Sequence, residues 1–388
     1  MSRLDELIAE LCPDGVPFKK TKEVYTRIKG TPITASKMKE IEDPDGEIRI
    51  FAGGKTVINA REHNIPNANI TRVPAVLVQS RGVIDAVYYD KPFTFKNEMW
   101  AYTNESQISV KYLYYVLKNN VEYFRAAASG MGSLPQISLP VTEDFIVPIP
   151  PLPVQQEIVR ILDHFTELTA ELTAELTARK KQYEYYFHRL LHFSAVTRRM
   201  KLGEIGPVCM CKRIMKAQTN NEGGVPFYKI GTFGKKADAY ISEEIYEEYK
   251  SKYNFPKKGD ILISAAGTIG RTVIYDGEPA YFQDSNIVWI DNDEEIVLNS
   301  FLGYIYGLKP WKIAEGGTIA RLYNDNIINA VIPVPSIEEQ KRIVDILKRF
   351  DTLCNDLTSG LPAEIAARQK QYEYYCDKLL TFKELPKS

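Results

Sequence analysis

Two stretches of the 388-residue chain decide the fold: RKKQYEYYFHRLL at residues 179–191 and RQKQYEYYCDKLL at residues 368–380, identical at nine of thirteen positions. Agreement of that length within one chain marks an internal duplication, and a duplication governs how every other segment is read. Working outward, IVRILDHF at 158–165 matches IVDILKRF at 343–350 at five of eight positions, and VPIP at 147–150 matches IPVP at 332–335. The offset is 343 − 158 = 185 upstream and 368 − 179 = 189 downstream, so the second copy carries four extra residues. They fall around Ser359, Gly360, Leu361 and Pro362, a helix-breaking cluster. Fainter echoes pair Gly132-Ser133 with Gly317-Thr318 and Tyr89-Asp90 with Tyr275-Asp276.

Each copy has two unlike parts. The first is rich in Gly, Pro, Tyr and β-branched residues, with short strand-like runs at 75–79, 83–89, 260–264 and 272–275 and a helical stretch at 110–124. This reads as a mixed α+β globule. The second part is helical: Val154, Ile158, Ile161, Leu162, Phe165, Leu168, Leu172 and Leu176 recur at three- and four-residue steps, as do Ile343, Ile346, Leu347, Phe350, Leu353 and Leu357. Pro153 suits a first helical turn, and Ser336 with Glu339 has the form of a capping box. Each helix is expected to run about 40 residues, ~60 Å at ~1.5 Å per residue. Stripes this long must be buried, and mutual packing as an antiparallel coiled coil is the simplest solution. The expected organisation is a globule at 1–150, a central helix at 151–194, a second globule at 195–332 and a C-terminal helix at 333–388, with the globules at opposite ends of the shaft. The amphipathic segment carrying Leu4, Leu7, Ile8 and Leu11 is expected to dock where the last helix returns to the first globule.

Composition excludes several function classes. A hydrophobic fraction of 44%, 26% charged residues and a mean hydropathy of −0.26 are those of a globular protein. No apolar run reaches the ~18 residues of a membrane span, and the first residues lack a signal peptide's basic and apolar blocks, so a cytoplasmic protein without membrane contact is expected. Five scattered cysteines suit a reducing compartment, and the Cys209-Met210-Cys211 spacing completes no metal site. Net charge is −1, and residues 1–150 hold 18 Lys+Arg against 18 Asp+Glu, residues 195–332 17 against 17. Any contact with nucleic acid must therefore rest on local patches or on a partner that supplies positive field.

Catalytic motifs are missing. Gly53-Gly54-Lys55-Thr56 imitates the end of a phosphate-binding loop, but Arg49 stands where its first glycine belongs. No Gly-x-Gly-x-x-Gly follows a strand. Of the four histidines, His164, His188 and His192 lie on the expected central helix and His63 is isolated, which leaves little for a triad or metal cluster. A carboxylate-pair hydrolase stays open on motifs alone.

With its paired Pro-x-Pro, Ile-Val-x-Ile-Leu and Gln-Tyr-Glu-Tyr-Tyr blocks, the whole chain resembles the specificity (S) subunit of type I restriction-modification enzymes. The resemblance implies two target-recognition domains reading a bipartite site on double-stranded DNA, no catalysis by this chain, and a spacer set by the helices. It also implies two methylation (M) subunits that use S-adenosylmethionine and, in the larger assembly, restriction (R) subunits that use ATP and magnesium. Within that reading the tandem ELTA units place Glu167, Leu168, Glu171, Leu172, Glu175 and Leu176 where they set helix length, or else form an ordinary solvent-faced helix. An adaptor holding two protein-binding domains apart is the alternative from another class.

Candidate DNA contacts are polar or basic residues on glycine-bearing loops, where backbone can approach a phosphate closely. In copy one these are Gln79, Ser80, Arg81, Ser133 and Gln136; in copy two, Ser264, Thr268, Arg271, Thr318 and Arg321. Arg81, Gln136, Arg271 and Arg321 have the chemistry for bidentate base contacts or for holding phosphates. Tyr183, Tyr185, Tyr186, Tyr372, Tyr374 and Tyr375 repeat on the helices and read as a packed seam or a docking face for partner subunits.

Overall fold

Local signals start the first copy sharply. In a computed structural model describing residues 2–54, 56–129, 134–312 and 321–386, helix α1 (Arg3–Leu11) is capped reciprocally. The Ser2 hydroxyl accepts from the Asp5 amide at 3.2 Å, and the Asp5 carboxylate accepts from the Ser2 amide at 2.9 Å. There follow β1 (Phe18–Lys20), α2 (Thr21–Val24), β2 (Thr26–Lys29), α3 (Ala35–Ile41), β3 (Ile48–Phe51), β4 (Val57–Ala60), β5 (Ala75–Gln79), β6 (Asp85–Tyr89), β7 (Phe93–Phe95) and β8 (Trp100–Thr103). Next come α4 (Gln107–Asn119), α5 (Val121–Ala126), α6 (Leu139–Glu143), β9 (Ile146–Pro148) and α7 (Leu152–Leu190). Copy two runs β10 (Arg199–Lys201), α8 (Leu202–Ile205), β11 (Val208–Cys209), β12 (Val225–Tyr228), β13 (Tyr240–Ile241), α9 (Glu243–Lys252), β14 (Ile261–Ser264), β15 (Thr272–Ile274), β16 (Tyr281–Phe282) and β17 (Ile287–Ile290). It ends with α10 (Asn299–Gly307), α11 (Asn324–Ile328), β18 (Val331–Pro333), α12 (Ile337–Asn355) and α13 (Leu361–Leu379).

Sheet topology repeats with the sequence. Strand orders β2-β8-β5-β6 and β4-β3-β7 in copy one become β11-β17-β14-β15 and β13-β12-β16 in copy two. In each three-stranded sheet the middle strand has one antiparallel and one parallel neighbour: Phe51 lies opposite Phe95, and Tyr228 opposite Phe282. One two-stranded ribbon closes each copy, β1-β9 in the first and β10-β18 in the second. β5 and β14 are buried along their whole length, so they read as continuous apolar runs without alternation. The helix expected over 110–124 is split at Asn120, whose side-chain amide donates to the Val116 carbonyl at 2.8 Å and competes with helix propagation.

The chain separates into two compact units, Met1–Glu175 with Ala363–Ser388, and Leu176–Pro362. The boundaries expected at 150, 194 and 332 differ from this partition, because each unit takes a share of the helices: α7 divides after Glu175 and the C-terminal helices after Pro362. In the second unit, Phe350 of α12 meets Tyr186 and Tyr183 of α7, with centroids 5.7 and 6.0 Å apart, while Cys354 lies near Lys180 and Arg179. Rising numbers on one helix meet falling numbers on the other, so the pair is antiparallel. In the first unit Phe165 of α7 stacks on Tyr375 of α13 at 5.1 Å and 27°, the equivalent of the 25° Phe350–Tyr186 stack after offsets of 185 and 189.

The second copy does not form the unbroken 40-residue helix expected for it. α12 and α13 are 19 residues each, separated at Asp356–Gly360. The Asp356 carboxylate accepts from the Thr358 amide and hydroxyl and the Ser359 hydroxyl at 2.6–2.7 Å, offering the backbone a turn in place of a helix. Gly360 fits because a Cβ there would lie 2.3 Å from the Thr352 carbonyl oxygen. α1 docks as expected in the first unit: Leu4 is buried in one cluster with Leu162, Leu379 and Leu380, Leu7 and Ile8 pack on it, and Leu11 remains 39% exposed.

Candidate nucleic-acid interface

Four segments converge at the same place in each unit: the loops after the parallel strand pair, the turn after the buried central strand, and an extended segment that crosses it. In the first unit the loop after β3 is drawn in by Gln79, whose amide donates to the Gly54 carbonyl at 3.0 Å, while the Gly54 amide donates to the Arg81 carbonyl at 3.1 Å. Gly54 has φ +71, which favours glycine. The Ser80 hydroxyl donates to the Glu98 carbonyl at 2.6 Å and so ties the turn after β7. Finally the Ile137 amide donates to the Ser80 carbonyl at 3.0 Å, with Arg81 bridged to Gln136.

The second unit builds the same cluster with other side chains. The Ser264 hydroxyl donates to the Thr268 carbonyl at 2.5 Å and accepts from the Arg271 amide at 2.9 Å, closing the turn after β14. Arg271 reaches across to the Phe233 carbonyl at 3.0 Å, and Arg321 to the Ser285 carbonyl at 3.1 Å. The Leu322 amide donates to the Ala265 carbonyl at 2.8 Å, the counterpart of Ile137 on Ser80 at an offset of 185 in both residues.

Burial sorts the sequence-based candidates. Arg81, Gln136 and Thr268 are exposed and Arg271 and Arg321 half-buried. Gln79, Ser80 and Ser264 are 7%, 0% and 1% exposed. Gln79 Nε2 and the Ser80 and Ser264 hydroxyls are turned inward onto backbone carbonyls and amides, where they hold the loops instead of facing solvent. Ser133 and Thr318 lie outside the described residues. Arg81, with Lys39, rims an open cleft of about 420 Å³ floored by Gly53 and Gly54. A neighbouring one of about 540 Å³ is lined by Arg27, Lys29, Asn69 and Asn97 and shares Glu98 with it. Lys96 of the rim is paired with Glu98 at 2.9 Å. In the second unit a cleft of about 240 Å³ opens beside the cluster rather than within it; it is aromatic, with Tyr228, Phe233, Tyr275 and Phe282, and carries Lys235 with Asp276 and Glu278. The near-neutral first globule thus presents a locally basic and amide-rich rim around its loops, whereas the second presents Arg271 and Arg321 on its own.

Sequence reading missed the loop at Gly53-Gly54, set aside as a failed phosphate loop, and the turns at 96–99 and 283–286. The glycine pair was a visible turn signal; the parallel pairing that carries it to Arg81 was not. On the helices, Tyr183, Tyr186, Tyr372 and Tyr375 are half-buried in the units' own seams, whereas Tyr185 and Tyr374 are 57% and 61% exposed. Glu167, Glu171 and Glu175 face solvent, while Leu168, Leu172 and Leu176 are half-buried. Among the described residues no group of three His, Cys, Asp or Glu is placed to hold a metal ion, and no helix is long and apolar enough to cross a membrane.

Fold and loops define a duplicated recognition protein, one loop cluster per copy. The family model of the type I restriction modification DNA specificity domain matches residues 13–179 and again 197–367. The chain is 53% identical over 298 residues to a putative type I restriction enzyme specificity subunit of Haemophilus influenzae, covering 75% of this chain and 77% of that one. It is 32% identical over 361 residues to the EcoR124I/EcoR124II specificity subunit of Escherichia coli, covering 86% and 87%. The crystal structure of the S subunit from M. genitalium shares the fold, with a TM-score of 0.59 at 17% identity over 94% of this chain and 96% of that one. The chain therefore belongs to the type I restriction-modification specificity subunits, the noncatalytic DNA-recognition components of those systems.

Proposed function

We propose that each unit reads one half of a bipartite duplex site through its loop cluster, and that the length of α7 sets the unread interval between the halves. The observation that carries this reading is the loop cluster built twice, with the bond that anchors its crossing segment, Ile137 to Ser80 and Leu322 to Ala265, repeated at an offset of 185. Two similar but non-identical clusters are what two different half-sites require. Near-neutral globules can read base edges, because that needs hydrogen-bond donors and acceptors, while partner subunits supply phosphate contacts. Exposed Tyr185 and Tyr374, at equivalent positions, are the candidates for docking two methylation subunits that use S-adenosylmethionine. Restriction subunits using ATP and magnesium would complete a cytoplasmic assembly.

The test is a mobility shift of the reconstituted specificity–methylation complex on duplex DNA against rising salt. Specific binding that weakens with salt is expected; absence of any sequence-selective complex would contradict the reading. Tyr185→Ala combined with Tyr374→Ala should reduce co-purification of methylation subunits while leaving the preferred sequence unchanged. Undiminished co-purification would remove these tyrosines from the docking face.

A further inference from the structure

Residues 136 and 321 occupy the same place in the two units and carry different hydrogen-bonding chemistry. Each sits one residue before a buried anchor, Ile137 at 2% exposure or Leu322 at 1%, whose amide is tied to the carbonyl of Ser80 or Ala265. Each is followed, three residues later, by the start of a short helix, α6 or α11. Neighbouring side chains on extended backbone point to opposite sides, so an anchor fixed in the core turns its predecessor outward from the loop cluster. Gln136 is exposed, and its backbone is bridged on both sides, to Arg81 and to Ser129. Arg321 is held: one terminal nitrogen donates to the Ser285 carbonyl, and the guanidinium lies 5.9 Å from the Tyr323 ring centroid. That single bond leaves most of the five guanidinium donors uncommitted.

Resting on the reading that each unit faces a half-site, we propose that position 136 and its counterpart 321 are a paired specificity-determining site, Gln136 selecting adenine and Arg321 selecting guanine. A carboxamide offers one acceptor and one donor side by side, the complement of the adenine N6 and N7 edge. A guanidinium offers two parallel donors, the complement of guanine O6 and N7. The anchor that follows is tied by the same backbone bond in both units, so exchanging the side chain exchanges the base read without moving the anchor. The chemistry predicts the direction of the switch and the half-site in which it falls.

The experiment is methyl-adenine sequencing of random duplex DNA treated with the reconstituted specificity–methylation complex, using wild type, Gln136→Arg, Arg321→Gln and Gln136→Ala. Expected results are an adenine-to-guanine change at one position of one half-site for Gln136→Arg and the reverse change in the other half-site for Arg321→Gln. For Gln136→Ala, discrimination at that same position should fall roughly 5- to 150-fold, the range for one bidentate base contact. A motif unaltered at every position in Gln136→Ala, or a changed base in the wrong half-site, overturns the assignment while leaving the half-site reading intact. A wild-type complex that methylates no bipartite motif fails the half-site reading itself.

Discussion

The Ser264 hydroxyl shows how a polar residue on a glycine-bearing loop can serve the site without facing it. It is 1% exposed and closes its turn from inside, receiving the Arg271 amide and donating to Thr268. Ser264→Ala leaves that amide only its longer 3.3 Å bond to the Thr268 carbonyl and takes the hydroxyl donor from that carbonyl, and a lost buried partner costs about 1–3 kcal/mol. A lower thermal midpoint for this variant than for Thr268→Ala, whose side chain is exposed, checks the assignment. From sequence, Gln79, Ser80 and Ser264 could not be told apart from Arg81 and Thr268, because all are polar and adjacent; only the direction of each side chain decides, and that depends on pairing with distant strands. The cysteines were more legible. All five are free and buried, and desolvation raises their thiols, Cys211 to about 12 and Cys376 to about 11. Native protein at pH 8 should therefore resist thiol-specific labelling until denaturant is added, at which point all five react; rapid labelling of the folded chain would contradict their burial.

Among the elements, the break between α12 and α13 was partly legible, since Ser359, Gly360 and Pro362 are helix breakers and the four-residue insertion fell on them. Its agent was not: Asp356 organises the turn, and hydrogen bonds from Thr358 and Ser359 hold its carboxyl at about 2. With the folded value below the ordinary 3.8, the turn's stabilisation is complete above about 4 and is lost as pH falls through about 2. Carbon-detected NMR titration should give Asp356 a midpoint well below that of exposed aspartates, and an ordinary midpoint would deny it this role. The ring pairs Phe350–Tyr186 and Phe165–Tyr375 belong to the same scale. Their packing predicts that Phe350→Ala and Phe165→Ala each destabilise by about 2 kcal/mol or more, read in urea melts. What the sequence did not disclose was the parallel partner of β3 and β12. Short strands carry no signal for which neighbour they join, and in the first unit the pairing of β3 with β7 sets the Gly53-Gly54 loop beside the turns that carry Glu98 and Arg81.

For the whole molecule, the duplication was plain from nine identities in thirteen residues, and it foretold the paired sheets, helices and loop clusters. Its arithmetic located equivalent residues to the position: 80 with 265, 136 with 321, 165 with 350. The ELTA units give the duplication a function that can be measured. Deleting residues 171–174 removes one unit of four residues, ~6 Å of helix and ~40° of rotation. The expected outcome is a shorter unread interval between unchanged half-sites, and an unaltered interval would show that α7 does not set it. The most direct test of the central claim, that two loop clusters read two half-sites, is the adenine-methylation motif produced by the wild-type complex and by Arg81→Ala. The expected result is a two-part motif separated by a fixed unread gap, with Arg81→Ala relaxing or weakening one part only. A single uninterrupted motif, or equal loss of both parts in the variant, would contradict it.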